Sequence, residues 1–190
     1  MLFRSPKRED MAPDPRSPYA ASKLAGERLC QEFAQAGRVE AVALRFFNVF
    51  GPRQSPDGAY AAAMPVFMQR ALAGRPLTIF GDGGQTRDIV FVKDVVAANA
   101  FAATAPGVGG VYNVGYGGQI TVLDLARRIV AQAGSRSEIL HAPERAGDVR
   151  HSRASVEKIH AAGFRPVSSL DAGIAATLDW MRGAGLAAGS

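Results

Sequence analysis

In the run VEAVALRFFNVF, Val39 to Phe50, apolar residues follow one another instead of alternating with polar ones. A strand of this kind buries both faces, which calls for a layer of helices on each side. That arrangement belongs to mainly parallel sheets in α/β proteins, where helices cross over between strands. The run ends in NVFGPRQ, where Asn48, Gly51 and Pro52 signal a loop. In open α/β sheets, loops beyond the carboxyl ends of strands are where ligands bind.

The neighbouring segments fit the same plan. SPYAASKLAGE, Ser17 to Glu27, opens a helix with Ser17 as N-cap and Pro18 at the first helical position, and Gly37 ends it. MPVFMQRALAG is a second helix, with Pro65 in its first turn and Gly74 as its stop. PLTIFGDGGQTRDIVFV reads as a strand, a glycine turn and another strand, after which Asp94 caps an alanine-rich helix toward Ala105. GGVYNVGYGG is a further strand and turn, and Thr121 with Asp124 resembles a capping box at the head of ITVLDLARRIVAQAG. Two helical stretches follow near Ser155 to Ala162 and Ser169 to Met181. The polar start, Met1 to Arg16, is a loop, and the tail GAGLAAGS is expected to fray.

Composition narrows the partners. The chain has 22 Lys and Arg against 17 Asp and Glu, a net +5, but no dense basic run and only 8% aromatic residues. That argues against nucleic acid, whereas scattered arginines suit a phosphate-bearing small molecule. A single cysteine, Cys30, excludes an internal disulfide framework. The start turns charged at once and no apolar run is long enough for a bilayer, so a soluble cytoplasmic protein is expected. No metal site is assigned. One glycine-rich turn imitates a dinucleotide fingerprint: Gly115, Gly117 and Gly118 sit between a strand and a helix, but Ile120 stands where a third glycine or alanine belongs. It reads as a tight turn.

Chemistry concentrates at Tyr19 and Lys23. Residues four apart share a helix face, so Lys23 is expected to set its ammonium beside Tyr19. A positive charge there favours the phenolate and suits Tyr19 to proton transfer near neutral pH. Alone, Tyr-x-x-x-Lys is a short and common pattern. Here it stands first in an ordered set: SPYAASKLAGE, LRFFNVFGPRQ, GDGGQTRDIVFVKDVV, YNVG and ERAGDVRHS. Together these resemble the NAD-dependent nucleotide-sugar epimerase/dehydratase family of extended short-chain dehydrogenase/reductases, from about Pro6 to Met181. Within it they are most similar to the UDP-hexose 4-epimerases, and FGPRQSPDGAYAAAMPVF to the UDP-N-acetylglucosamine branch.

The resemblance implies an α/β fold made of the C-terminal part of a Rossmann-type parallel sheet plus a smaller mixed α/β nucleotide-sugar-binding lobe. Residues 1–52 and 89–105 would belong to the first, 53–88 and 106–182 to the second, with 183–190 a disordered tail. It implies 4-epimerisation of a UDP-hexose, plain or N-acetylated, through a 4-keto intermediate. Tyr19 would take the proton of the sugar's 4-hydroxyl, and Lys23 would hydrogen-bond the nicotinamide ribose of NAD. Phe47 and Asn48 match positions beside the nicotinamide and the sugar nucleotide, and Arg87 and Arg145 match phosphate-contacting arginines. Asp148 matches an acidic position at the nucleotide end, Phe80 is set to pack on the uracil, and Gln54 and Ser152 match positions facing the sugar.

Two departures stand out. Ser155 occupies a position where the family has an aspartate, and is expected to affect only a helix cap. The family's glycine-rich loop, first strands and the Ser or Thr of the catalytic trio would all lie ahead of Met1, so a fragment or truncated product is expected, inactive by itself and a homodimer at full length. Two other readings share these residues: a nucleotide-sugar dehydratase or decarboxylase of the same family, and a catalytically silent sugar-nucleotide-binding module.

Overall fold

The apolar run from Val39 to Phe50 folds as two strands with different partners. The computed structural model describes residues 6–56, 63–145 and 149–186. Its elements begin with helix α1 (Pro18–Gln35), strands β1 (Val42–Phe46) and β2 (Asn48–Phe50), helix α2 (Ala63–Leu72) and strand β3 (Leu77–Phe80). Strands β4 (Thr86–Arg87) and β5 (Ile89–Phe91), helix α3 (Val92–Thr104) and strand β6 (Gly110–Val114) follow. Strand β7 (Ile120–Thr121), helix α4 (Val122–Ala133), strands β8 (Ile139–Ala142) and β9 (His151–Ser152), and helices α5 (Glu157–Ala161) and α6 (Leu170–Gly183) complete the order.

Strand β1 pairs with β6 and β2 with β5, both in parallel, so the α/β parallel architecture stands. Helix α1 contacts β1, and so does α3. Val42 and Leu44 pack into the cluster around Val90, Tyr112 and Val114, whereas Arg45 turns to α1 and pairs with Glu27. The strand is thus covered on both faces, but not deeply: Val42 to Arg45 are half-buried and Phe46 is 49% exposed. The reason is lateral, since among the described strands β1 is hydrogen-bonded only to β6. Helix α1 accordingly buries no residue fully. Its half-buried positions Ala20, Leu24, Glu27, Gln31 and Ala34 recur every three or four residues and mark the docking face.

A larger core forms where α2, α4 and α6 enclose β3 and its parallel partner β8, with Met68, Leu77, Ile79, Leu125, Ile129, Ile174, Leu178 and Met181 buried. Phe50 and Phe91, ring centroids 5.4 Å apart, carry β2 and β5 into this core. Residues 110–114 and 154–164, which the sequence assigns to the second lobe, pack instead with β1, β5 and α3. Strand β6 must sit there because it hydrogen-bonds β1 along its whole length.

Most helix signals hold. The Ser17 hydroxyl accepts from Ala20 N–H at 3.1 Å, and Thr121 Oγ1 accepts from Asp124 N–H at 3.0 Å. Three expectations change. Asp94 does not cap α3; it lies buried in the first turn, and its carboxylate accepts from the N–H groups of Val167 and Ser168 ahead of α6. Ser155 caps nothing: it is buried, its N–H donates to the Lys7 carbonyl, and its own carbonyl accepts from Asn113. The chain stays structured past 182, because Leu186 packs on the larger core; 187–190 lie outside the described residues.

Close packing on α6 yields a test. A Cβ added at Gly173 would come within 2.6 Å of Phe50 Cζ and 3.0 Å of Phe91 Cδ2. Overpacking costs about 1–3 kcal/mol, more than the gain of up to about 1 kcal/mol for replacing a helical glycine. Gly173→Ala is therefore expected to lower stability in chemical denaturation, and a variant as stable as the parent would contradict this packing.

Candidate functional site

The Tyr19–Lys23 pair forms where the Ser17 cap and Pro18 start α1. Lys23 Nζ lies 5.4 Å from the centroid of the Tyr19 ring, and Tyr19 is 72% exposed, so the phenol is open to a ligand. Phe47, between β1 and β2, packs against the cluster around Val90, and its N–H donates to Val114 O. Asn48 opens β2 beside it and donates from Nδ2 to the Asp88 carbonyl at 2.8 Å.

The sheet register assembles a second group. Strand β4 lies between β7 and β9, and sets Arg87 opposite Ser152. Arg87 Nη1 donates to the carbonyls of Thr86 and Val149, tying the guanidinium between two segments. Phe80 closes β3, and Arg145 stacks its guanidinium 3.7 Å from the Phe80 ring centroid. The two residues that the sequence assigned separately to base and phosphate thus touch each other in this structure. Gln54 is half-buried, donates from Nε2 to Val49 O, and buries its Oε1 with no partner among the described residues. Asp148 lies outside the described residues.

Sequence reasoning overlooked the residue that joins these parts. Asp88 is fully buried, and its carboxylate accepts from the N–H groups of Tyr116, Gly117 and Ala154 at 2.8 to 3.1 Å. Burial pushes its carboxyl above the usual carboxylate range, against the opposing pull of those three N–H groups. The available signal was a charge between two short strands, next to a glycine turn. Arg150 was overlooked as well. It grips Asp82 with both Nη atoms, at 2.9 and 2.6 Å, and so fastens the 149–152 stretch to the glycine turn after β3.

The same contacts test the fit of a dinucleotide. The N–H groups of Tyr116 and Gly117 are spent on Asp88, and a Cβ at Gly117 would meet Val156 at 2.6 Å, so this turn is filled by protein and offers no phosphate cradle. Among the described residues, the exposed hydroxyl of Tyr19 and ammonium of Lys23 are chemically suited to the polar nicotinamide end of a dinucleotide. The arginine group has the planar forks that suit a diphosphate.

Parallel strand pairs flanked by helices, with a Tyr–Lys pair on a capped helix, define a Rossmann-type α/β protein. The NAD dependent epimerase/dehydratase family model matches residues 3–115. The chain belongs to that family, whose solved members include forms with NAD bound. It is 39% identical over 178 residues to a UDP-glucose 4-epimerase of Mycolicibacterium smegmatis, covering 93% of this chain and 56% of the relative. It superposes with a TM-score of 0.91 on a UDP-N-acetylglucosamine 4-epimerase from Methanobrevibacter ruminantium in complex with UDP-N-acetylmuramic acid, at 34% identity over 96% of this chain and 59% of that one. For the Thermus thermophilus UDP-glucose 4-epimerase complex with NAD the TM-score is 0.84 at 39% identity, over 95% and 60% of the two chains. Relatives at 34% and 32% identity are named dTDP-glucose 4,6-dehydratase and UDP-N-acetyl-alpha-D-glucosaminuronate decarboxylase. The chain spans about half the length of the curated relatives it matches. No described helix is long and apolar enough to cross a membrane.

The Asp82–Arg150 pair gives a pH signature. The guanidinium hydrogen bonds hold the Asp82 carboxyl at about 2, below its ordinary 3.8. A depressed carboxylate stabilises the fold above its unfolded value and loses that contribution as pH falls through the folded one. Thermal unfolding of the parent and Asp82→Asn should therefore differ above 3.8 and converge as pH falls toward about 2. The difference is expected to be small, because both side chains are at least half exposed. A gap that stays constant across this range would remove the pair as its source.

Proposed function

We propose that this chain supplies the proton-transfer pair and the sugar-nucleotide lobe of an NAD-dependent 4-epimerase acting on a UDP-hexose, plain or N-acetylated. The observation that carries the reading is the Lys23 ammonium held over an exposed Tyr19 on a capped helix, in a chain of this family. When bound, NAD supplies reversible hydride transfer at carbon 4 of the sugar. Tyr19 Oη takes the proton of the 4-hydroxyl and later returns one, and Lys23 keeps positive charge beside the oxygen that carries it. Arg87 and Arg145 hold the diphosphate from two sides, Phe80 takes the base, and Gln54 and Ser152 face the sugar. Asp148 completes the nucleotide end. Phe47 is the less natural cofactor contact, since its ring packs into the core cluster. The dehydratase and decarboxylase names among the relatives keep those reactions as the second reading.

Calorimetry tests the ligand class. Moving Arg145 onto a phosphate requires unstacking it from Phe80, a trade the charged hydrogen bond wins: such bonds contribute about 1.5–3 kcal/mol, against about 0.5–1 for an exposed cation–π contact. Arg87→Ala and Arg145→Ala should each weaken UDP affinity by at least about 1.5 kcal/mol. Unchanged affinity in both variants would discard the diphosphate assignment.

The chemistry is tested with UDP-galactose and UDP-N-acetylgalactosamine in a coupled assay with added NAD. The 190-residue chain is expected to bind NAD weakly and turn over neither sugar, because it carries no glycine-rich fingerprint for the pyrophosphate. In a full-length form that turns over, Tyr19→Phe should lose at least roughly 10²-fold in rate while UDP-sugar binding persists. Near-normal turnover in that variant would sink the assignment of Tyr19.

A further inference from the structure

Helix α1 is held to β1 by an ion pair that lies one turn below Lys23. Arg45 donates to both carboxylate oxygens of Glu27, from Nε to Oε2 and from Nη2 to Oε1, each at 2.7 Å. Glu27 is 11% and Arg45 28% exposed, and Arg45 Nη1 also donates to Glu9 O. Tyr19, Lys23 and Glu27 follow one another at intervals of four, so they form three rungs on one side of the helix. Lys23 is the middle rung. Its ammonium could pair downward with the Glu27 carboxylate, as residues four apart commonly do, or lie upward over the Tyr19 ring. It lies upward.

We propose that Arg45 is a positioning residue for the Tyr19–Lys23 pair: by occupying both oxygens of Glu27, it leaves the Lys23 ammonium to Tyr19. The use of that pair in proton transfer rests on the function proposed above. Arg28, next to Glu27, does not do the same work, because its Nη1 donates to Gln31. A largely buried carboxylate stripped of its cation is strongly destabilising, so loss of Arg45 would recruit a neighbouring ammonium, and Lys23 is on the same face. Arg45 suits the role because a planar fork satisfies two oxygens at once, from a neighbouring strand and not from the helix itself.

Sequestration differs from simple clamping in a measurable way. A clamp between α1 and β1 fails alike whichever partner is removed. If Arg45 sequesters Glu27, Arg45→Met frees a competitor for Lys23, whereas Glu27→Gln abolishes it. The readout is the ring-current shift of the Lys23 Cε protons in carbon–proton NMR of lysine-labelled chain, assigned by its loss in Tyr19→Leu. Glu27→Gln should keep the upfield shift, Arg45→Met should lose it, and the double variant should regain it. Loss in both single variants, retention in Arg45→Met, or no Tyr19-dependent shift in the parent would overturn the proposal. Should circular dichroism show that Arg45→Met does not fold, Glu27→Gln and the double variant decide: retention in both supports sequestration, and loss in either overturns it. No nucleotide enters this experiment, so its failure leaves the UDP-binding and turnover tests standing, and theirs leave it standing.

Discussion

A buried carboxylate sits where four pieces of chain meet. Asp88 lies between β4 and β5, and its three N–H donors come from the turn after β6 and from the residue two beyond Ser152. Its own carbonyl receives Asn48. Ionised oxygens in a dry interior are tolerable only when fully hydrogen-bonded, so each of these segments is fixed by the need of one group. Gly115 shows how closely: a Cβ there would stand 2.9 Å from Asp88 Oδ2 and 2.9 Å from Ala154 Cβ. The register that brings Arg87 opposite Ser152, and the placing of Asn48 beside them, follow from this knot. It joins β2, the turn after β6 and the stretch after β9 to the junction of β4 and β5.

Regular elements were legible in the sequence where a local signal sufficed. Ser17 with Pro18, and Thr121 with Asp124, act within their own helix, and their hydrogen bonds are present as expected. Asp94 misled because an aspartate at a helix start is ambiguous: its partners, Val167 and Ser168, are more than seventy positions away and invisible to local reading. The break at Phe47 was hidden for a similar reason. In LRFFNVF, Asn48 reads as the start of a loop, whereas it opens strand β2; the run divides because β6 and β5 take different halves of it.

The candidate site was read in the same uneven way. Motifs singled out Tyr19, Lys23, Arg87 and Arg145, whose residue types carry chemistry of their own. They did not find Asp88, Arg150 or Arg45, whose meaning lies in the partner. Each of these holds a long-range contact, to the turn after β6, to Asp82 and to Glu27 respectively. Residue type announces what a group can do to a ligand, whereas support for that group is spread through the fold.

This division bears on substrate choice. On the proposed reading, Arg87, Arg145 and Phe80 recognise a diphosphate and a base, and relatives named for UDP-sugar and dTDP-sugar reactions alike have nucleotide diphosphates to hold. Such contacts bind substrate and transition state alike, so they set affinity without selecting a reaction. On that reading, selection falls to the groups proposed to face the sugar ring. Of these, Gln54 has its amide nitrogen committed to Val49 O and its oxygen buried, which fixes the orientation of the side chain from within. Ser152 is fixed from outside, by the pairing of β9 with β4 opposite Arg87. On the same reading, a change of sugar met at Ser152 would act on a residue whose position is dictated by the strand that carries Arg87, whereas Gln54 is held by β2. The proposed nucleotide grip and one side of the proposed sugar pocket therefore share a single strand pairing, so neither can be altered there without the other.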